Sequence, residues 1–140
     1  MISIAEMKTI AEKERKVEKQ AEKVKYEKDL AMYRDKLKEV KPKLMDYIER
    51  CIYNGIKYCH SNICLYTSSF EGLFKPINKY GTNILVLLAN QGYESHDAYD
   101  VALKELAEEV RKELFAAGVK RIIKNSHSCF AGEPYLYLEV

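Results

Sequence analysis

The chain has 140 residues, 47% of them hydrophobic and 31% charged. That fits one compact domain with an extension and excludes both a disordered polymer and two independent cores. A net charge of +2 is too small by itself to mark a nucleic-acid surface. The longest apolar run, Ile84–Ala89, falls far short of a bilayer span.

The charge is unevenly spread. Residues 1–43 hold 13 Lys/Arg against nine Asp/Glu, a net of +4, and the remainder holds 10 against 12, a net of −2. Glycine and proline are absent before Pro42. The chain therefore divides into a helical arm, residues 1–41, and a compact α+β domain, residues 42–140. The first residues lack the apolar core of a secretory signal, so a cytoplasmic protein with no membrane partner is expected. The cysteines then read as reduced thiols. Lysine outnumbers arginine 18 to 5, a lean that suggests an AT-rich genome such as that of a low-GC bacterium or one of its phages.

From about Ser3 to Val40 strong helix formers dominate, and Glu12–Lys16 and Glu39–Lys43 supply i,i+4 pairs. The apolar seam changes phase along this helix. Ile10, Val17, Val24 and Ala31 recur every seven residues, but the complementary positions hold Glu14 and Lys28 beside Met7 and Ala21. From Leu30 a fuller heptad follows: Leu30, Leu37, Leu44 and Cys51 at one position, Tyr33, Val40 and Tyr47 at the other. Residues 30–52 should pack on the core, and residues 3–28 should form an arm. Pro42 predicts a kink or a fresh helix start. The second segment should stop near Asn54, with Gly55 in the left-handed position after it.

Ile56–Thr67, rich in β-branched and aromatic residues, reads as one strand with a bulge, or as a hairpin turning at Ser61-Asn62. Ser68–Gly81 reads as a loop. Thr82 or Asn83 can cap a short helix through Gln91 closed by Gly92, although Ile84–Ala89 also suits a buried strand. Asp97 opens the clearest helix of the domain, with Val101, Leu103, Leu106, Ala107, Val110, Leu114 and Ala117 on one face and Gly118 at its end. Val119–Lys124 and Tyr135–Val140 form two strands around a loop with Gly132 and Pro134. The fold class is α+β: a long charged N-terminal helix, coiled-coil-like and kinked or broken at Pro42, then a small three-stranded, largely antiparallel sheet packed with two or three helices.

Cys59, Cys64, His127 and Cys129, with His60 beside them, have the donor chemistry for zinc. The Cys-x4-Cys spacing and strand alternation argue instead for buried thiols, and no metal is assigned. An anionic small ligand, such as a nucleotide, has a more plausible place. Lys75 and Lys79 precede Thr82 and Asn83 at a predicted helix start, where free backbone amides attract anions. Arg121 and Lys124 add charge, and Tyr137 can stack on a base. The glycines of a phosphate-binding loop or dinucleotide fingerprint are missing, so no cofactor is expected. His60, His96 and His127 belong to no acid–base or nucleophile motif, and no enzyme is expected. The arm's lysines alternate with glutamates, which makes RNA or DNA binding through it weak at best.

Length decides the leading expectation. A domain of about 97 residues is roughly 30 Å across, whereas a helix from Ser3 to Val40 runs about 57 Å. The overhang predicts a homo-oligomer, a dimer or larger, serving as a non-enzymatic interaction protein. In that reading it is a phage or mobile-element accessory factor with a host protein as partner, and Tyr47, Tyr53, Tyr58, Tyr66, Tyr135 and Tyr137 are core or contact aromatics.

Overall fold

The computed structural model describes residues 1–78, 84–89, 96–125 and 135–140. Helix α1 spans Ile4–Lys57, followed by strand β1 at Asn62–Tyr66, α2 at Thr67–Phe74, α3 at Ile84–Leu88, α4 at Ala98–Ala116, β2 at Arg121–Asn125 and β3 at Tyr135–Glu139. This is the expected α+β arrangement of a long N-terminal helix and a small sheet packed with helices.

Ser3 opens α1 from an extended backbone, and its hydroxyl accepts a hydrogen bond from the Glu6 amide at 3.2 Å. The helix then runs unbroken through Pro42, where the sequence predicted a kink or a fresh start. Proline removes one backbone donor, but the Pro42 ring is exposed to water. On either side Leu37, Val40, Leu44 and Ile48 are buried. Their packing outweighs a single missing bond.

The end of α1 also differs from expectation. Gly55 lies inside the helix, and the left-handed position is taken by Cys59, with φ of 63°. The Cys59 amide donates to the Ile56 carbonyl at 3.0 Å and the His60 amide to the Gly55 carbonyl at 2.9 Å, closing the last turn with two bonds. Gly55 has a different task. A Cβ there would collide with Ile63 Cδ1, so the missing side chain lets β1 cross close to the helix. Helix α4 ends in the same two-bond pattern with the predicted glycine. Gly118, at φ 112°, donates to Phe115 at 3.1 Å, and Val119 donates to Leu114 at 3.0 Å.

These paired caps make opposite predictions. Gly118→Ala forces a Cβ into left-handed backbone with no neighbour to blame, and should cost about 1 kcal/mol. Cys59→Gly relieves the same penalty at the price of a floppier unfolded chain, and should stabilise by about 0.5 kcal/mol. Chemical denaturation of the two variants checks both signs.

The sheet order is β1-β3-β2, with β3 central and antiparallel to both neighbours. Ile63 pairs with Leu138 and Leu65 with Leu136, and all four are buried on the face that meets the helices. Only Asn62–Tyr66 of the predicted Ile56–Thr67 strand is extended. Ile56 and Lys57 belong to α1, and residues 58–61 form the helix exit rather than a bulge or a hairpin.

The loop predicted over Ser68–Gly81 contains α2 instead. Phe70 and Phe74, four apart, are buried at 1% and 0% exposure, and burying two phenyl rings outweighs the poor helix propensity of Ser69 and Gly72. Where helix and strand were both open for Ile84–Ala89, the chain is helical at Ile84–Leu88. The predicted glycine stop at Gly92 and the loop with Gly132 and Pro134 lie outside the described residues.

Helix α1 packs along α4 and onto β1, α2 sits against α1 and β1, and α3 joins α4 to β2. Helices α1 and α4 run in the same sense. Tyr33 meets Tyr99 edge-on at 5.3 Å, Arg34 pairs with Glu105, and Lys41 pairs with Glu109 and Glu113.

Candidate interaction surface

Burial along α1 begins abruptly. Every residue from Met1 to Lys28 is exposed, and Asp29 and Leu30 are the first to be partly covered. The 25 helical residues from Ile4 to Lys28 therefore project about 37 Å past the body. Their seam remains open to water: Met7 and Ile10 are each 45% exposed and Val17 is 69% exposed.

The two seams of α1 face different ways. Val17 and Leu44 are separated by 27 positions, about 7.5 turns at 3.6 residues per turn, which sets them roughly on opposite sides of the helix. The core-facing stripe carries Leu37, Val40, Leu44 and Ile48. The arm's stripe carries Met7, Ile10, Val17, Ala21 and Val24. Each half is amphipathic, but the halves oppose one another, so the complete helix has almost no net amphipathicity. The arm's apolar side thus points away from its own body and cannot be covered by folding onto it. Val17, Gln20, Ala21 and Val24 form a shallow, mainly apolar strip there, edged by Lys16, Lys25 and Lys28.

A second concavity, about 870 Å³, lies between α1 and α4 over Leu37, Met45, Leu106 and Leu114. Its rim is ionic. Arg34 Nε and Nη2 donate to the two Glu105 carboxylate oxygens at 2.8 and 2.7 Å, a fork that fits both groups. Lys41 Nζ lies 3.1 Å from Glu109 Oε2 and 3.3 Å from Glu113 Oε1. The hydrogen bond from Arg34 holds the Glu105 carboxyl below its usual range. Hydrogen bonds to Glu109 and then Glu113 raise the Lys41 ammonium above its usual range. The signs follow. Glu105's contribution is present above the ordinary carboxylate pKa of about 4 and fades as pH falls through its lowered value. Lys41's contribution is present below about pH 10 and fades as pH rises through its raised value. These pairs set the two cations Arg34 and Lys41 against the three carboxylates Glu105, Glu109 and Glu113, so the rim keeps a net charge of −1 at neutral pH and does not favour an anionic ligand.

These pairs lie outside the candidate site marked by the sequence. Their signal is the spacing of Glu105, Glu109 and Glu113, four apart on one face of α4, opposite Arg34 and Lys41, which are seven apart.

The predicted anion-site residues are distributed as follows. Lys75 follows the C-terminal end of α2, where the helix dipole is negative, and pairs with Glu71 at 3.4 Å. Arg121 and Tyr137 share the outer sheet face, where Arg121 Nε donates to Glu139 Oε2 at 2.6 Å. Lys124 stands opposite Leu136, on the other face. Lys79, Thr82 and Asn83 lie outside the described residues. The helix they precede has five residues, too few for a strong terminal dipole.

Of the zinc candidates, Cys59 is exposed at the end of α1 and Cys64 is partly buried on β1, while His127 and Cys129 lie outside the described residues. No group of three or more His, Cys, Asp or Glu suited to a metal occurs among the described residues. Among the predicted aromatics, Tyr47 packs edge-on against Phe70 at 5.2 Å, Tyr137 is half-buried, and Tyr53, Tyr58 and Tyr66 are exposed. Burial pushes the Tyr47 hydroxyl's pKa up. No helix among the described residues is long and apolar enough to cross a membrane. Comparison with family models, with curated proteins and with solved structures finds no match for this chain.

Proposed function

We propose that this chain is a homo-oligomeric interaction protein whose N-terminal arm is the assembly element. The observation that supports this reading is the exposed apolar stripe of the arm, turned away from the body that would otherwise cover it. Most helices in proteins draw their stability from tertiary packing of an apolar face, and this arm of about 25 residues can gain that packing only from a partner along its stripe. A coiled-coil neighbour fits a seam that recurs every seven residues. The interleaved glutamates suit protein partners better than phosphate backbones.

Deleting residues 1–28 and measuring mass by light scattering tests the reading. The intact chain should scatter as a multiple of 16.3 kDa, and the truncated one as a single body with its circular dichroism otherwise preserved. An unchanged multiple after truncation, with the fold intact, would sink the idea.

A further inference from the structure

Building on the oligomeric reading, we infer that the occupant of the arm's stripe is the arm of a second copy, running antiparallel, with the twofold axis near residues 19 and 20. The charges inside the seam decide direction. In heptad terms Met7, Glu14, Ala21 and Lys28 occupy one seam position, and Ile10, Val17, Val24 and Ala31 the other. In a parallel pair each seam residue meets its own copy. Glu14 would then face the partner's Glu14, and Lys28 the partner's Lys28, two like-charge contacts in the least solvated part of the interface.

Reversing one chain removes both contacts. Each seam layer then combines the two positions: Val17 packs on the partner's Ala21, Val24 lies beside the partner's Glu14, and Ile10 lies along the alkyl stem of the partner's Lys28.

The flanking charges fix the register. With Val17 opposite the partner's Ala21, Lys13 falls beside the partner's Glu27, and symmetry makes that attraction twice. Gln20 meets the partner's Gln20 without charge. One unfavourable pair remains, Glu18 against the partner's Glu18, close to the axis and open to water. Sliding by one heptad toward the N-termini sets Glu6 against the partner's Glu27. Sliding the other way sets Ile10 against the partner's Asp35. Neither alternative keeps both the ionic and the apolar matches. The arrangement also agrees with the body's position. Each arm lies along the outer side of its partner's α1, opposite α4, so the Arg34–Glu105 and Lys41–Glu109 pairs remain intact while the bodies sit at opposite ends.

Charge reversal on the full-length chain reads both direction and register. Lys13→Glu and Glu27→Lys should each weaken self-association about tenfold by sedimentation equilibrium, since each turns two attractions into repulsions. The double variant Lys13→Glu/Glu27→Lys restores opposite charges across an antiparallel seam and should recover the original dissociation constant to within about threefold. In a parallel seam Lys13 flanks the partner's Glu18 instead, and the double variant would stay as weak as Lys13→Glu alone. That outcome overturns the antiparallel pairing and leaves the oligomer standing. Single variants with unchanged association overturn the pairing as well. A wild-type chain that is monomeric at every concentration overturns both the pairing and the oligomeric reading.

Discussion

Leu44→Ala is expected to destabilise the body by about 3 kcal/mol and to lower its melting temperature by roughly 12 °C. Leu44 is fully buried on the stretch of α1 that packs along α4 and onto β1. The loss has two parts: the transfer free energy of the removed methyl-bearing carbons, and the cavity left behind. A cavity costs least where its walls can move inward. Here the walls belong to a helix tied to its neighbour by Arg34–Glu105 and Lys41–Glu109 and to a sheet whose central strand is paired on both sides, so little collapse is available. Val17→Ala in the arm is the control. It removes a comparable apolar group from the same helix, yet Val17 is 69% exposed, so the body's stability should change by less than about 0.5 kcal/mol. Thermal melts repeated across a series of protein concentrations separate the body's own stability from any change of assembly, which alone makes the melting temperature concentration-dependent.

That contrast follows from a pattern visible in the sequence. The heptad beginning at Leu30 identified the part of α1 that enters the core, and burial begins there. Helix α4 and the central strand were equally legible, because Leu103, Leu106, Val110 and Leu114 repeat at helical spacing while Leu136 and Leu138 alternate. What escaped was decided by tertiary contacts that outweigh local preference. Pro42 reads as a breaker until its ring is known to face water. Ser69 and Gly72 read as loop until Phe70 and Phe74 are known to be buried. Gly55 reads as a helix stop, although its role is to admit Ile63 and the left-handed turn falls four residues later, on Cys59. The surface was half legible: the change of phase between the two seams is in the residue spacing, but its consequence depends on α1 being one continuous helix over residues 7–40. The residues that set the two directions, Met7, Val17 and Val24 on one side and Leu37 and Val40 on the other, all precede Pro42, so even a break at the proline would have left the stripes opposed.

That opposition also makes the arm's seam a sharp target. Val17→Glu/Val24→Glu should weaken self-association by at least about 100-fold. In the proposed twofold interface four valines would each be partly covered and would contribute roughly 3 kcal/mol between them. Glutamate at position 24 would additionally face the partner's Glu14 in the antiparallel register. Glutamate keeps a high helix propensity, so the arm is not broken by the substitution itself. Released from its partner, it should fray from its N-terminal end, because residues 1–28 are all exposed and have no tertiary packing to hold the helix. Two measurements then move together: sedimentation reports single chains, and far-ultraviolet circular dichroism loses a share of helix corresponding to the arm. The body's cooperative melt should survive, since Leu37, Val40, Leu44 and Ile48 lie on the opposite side of α1. Loss of association with no loss of helix would mean that the arm is stable by itself, and its own Glu–Lys pairs, Glu12–Lys16 among them, would then carry more of its stability than a surface ion pair normally does.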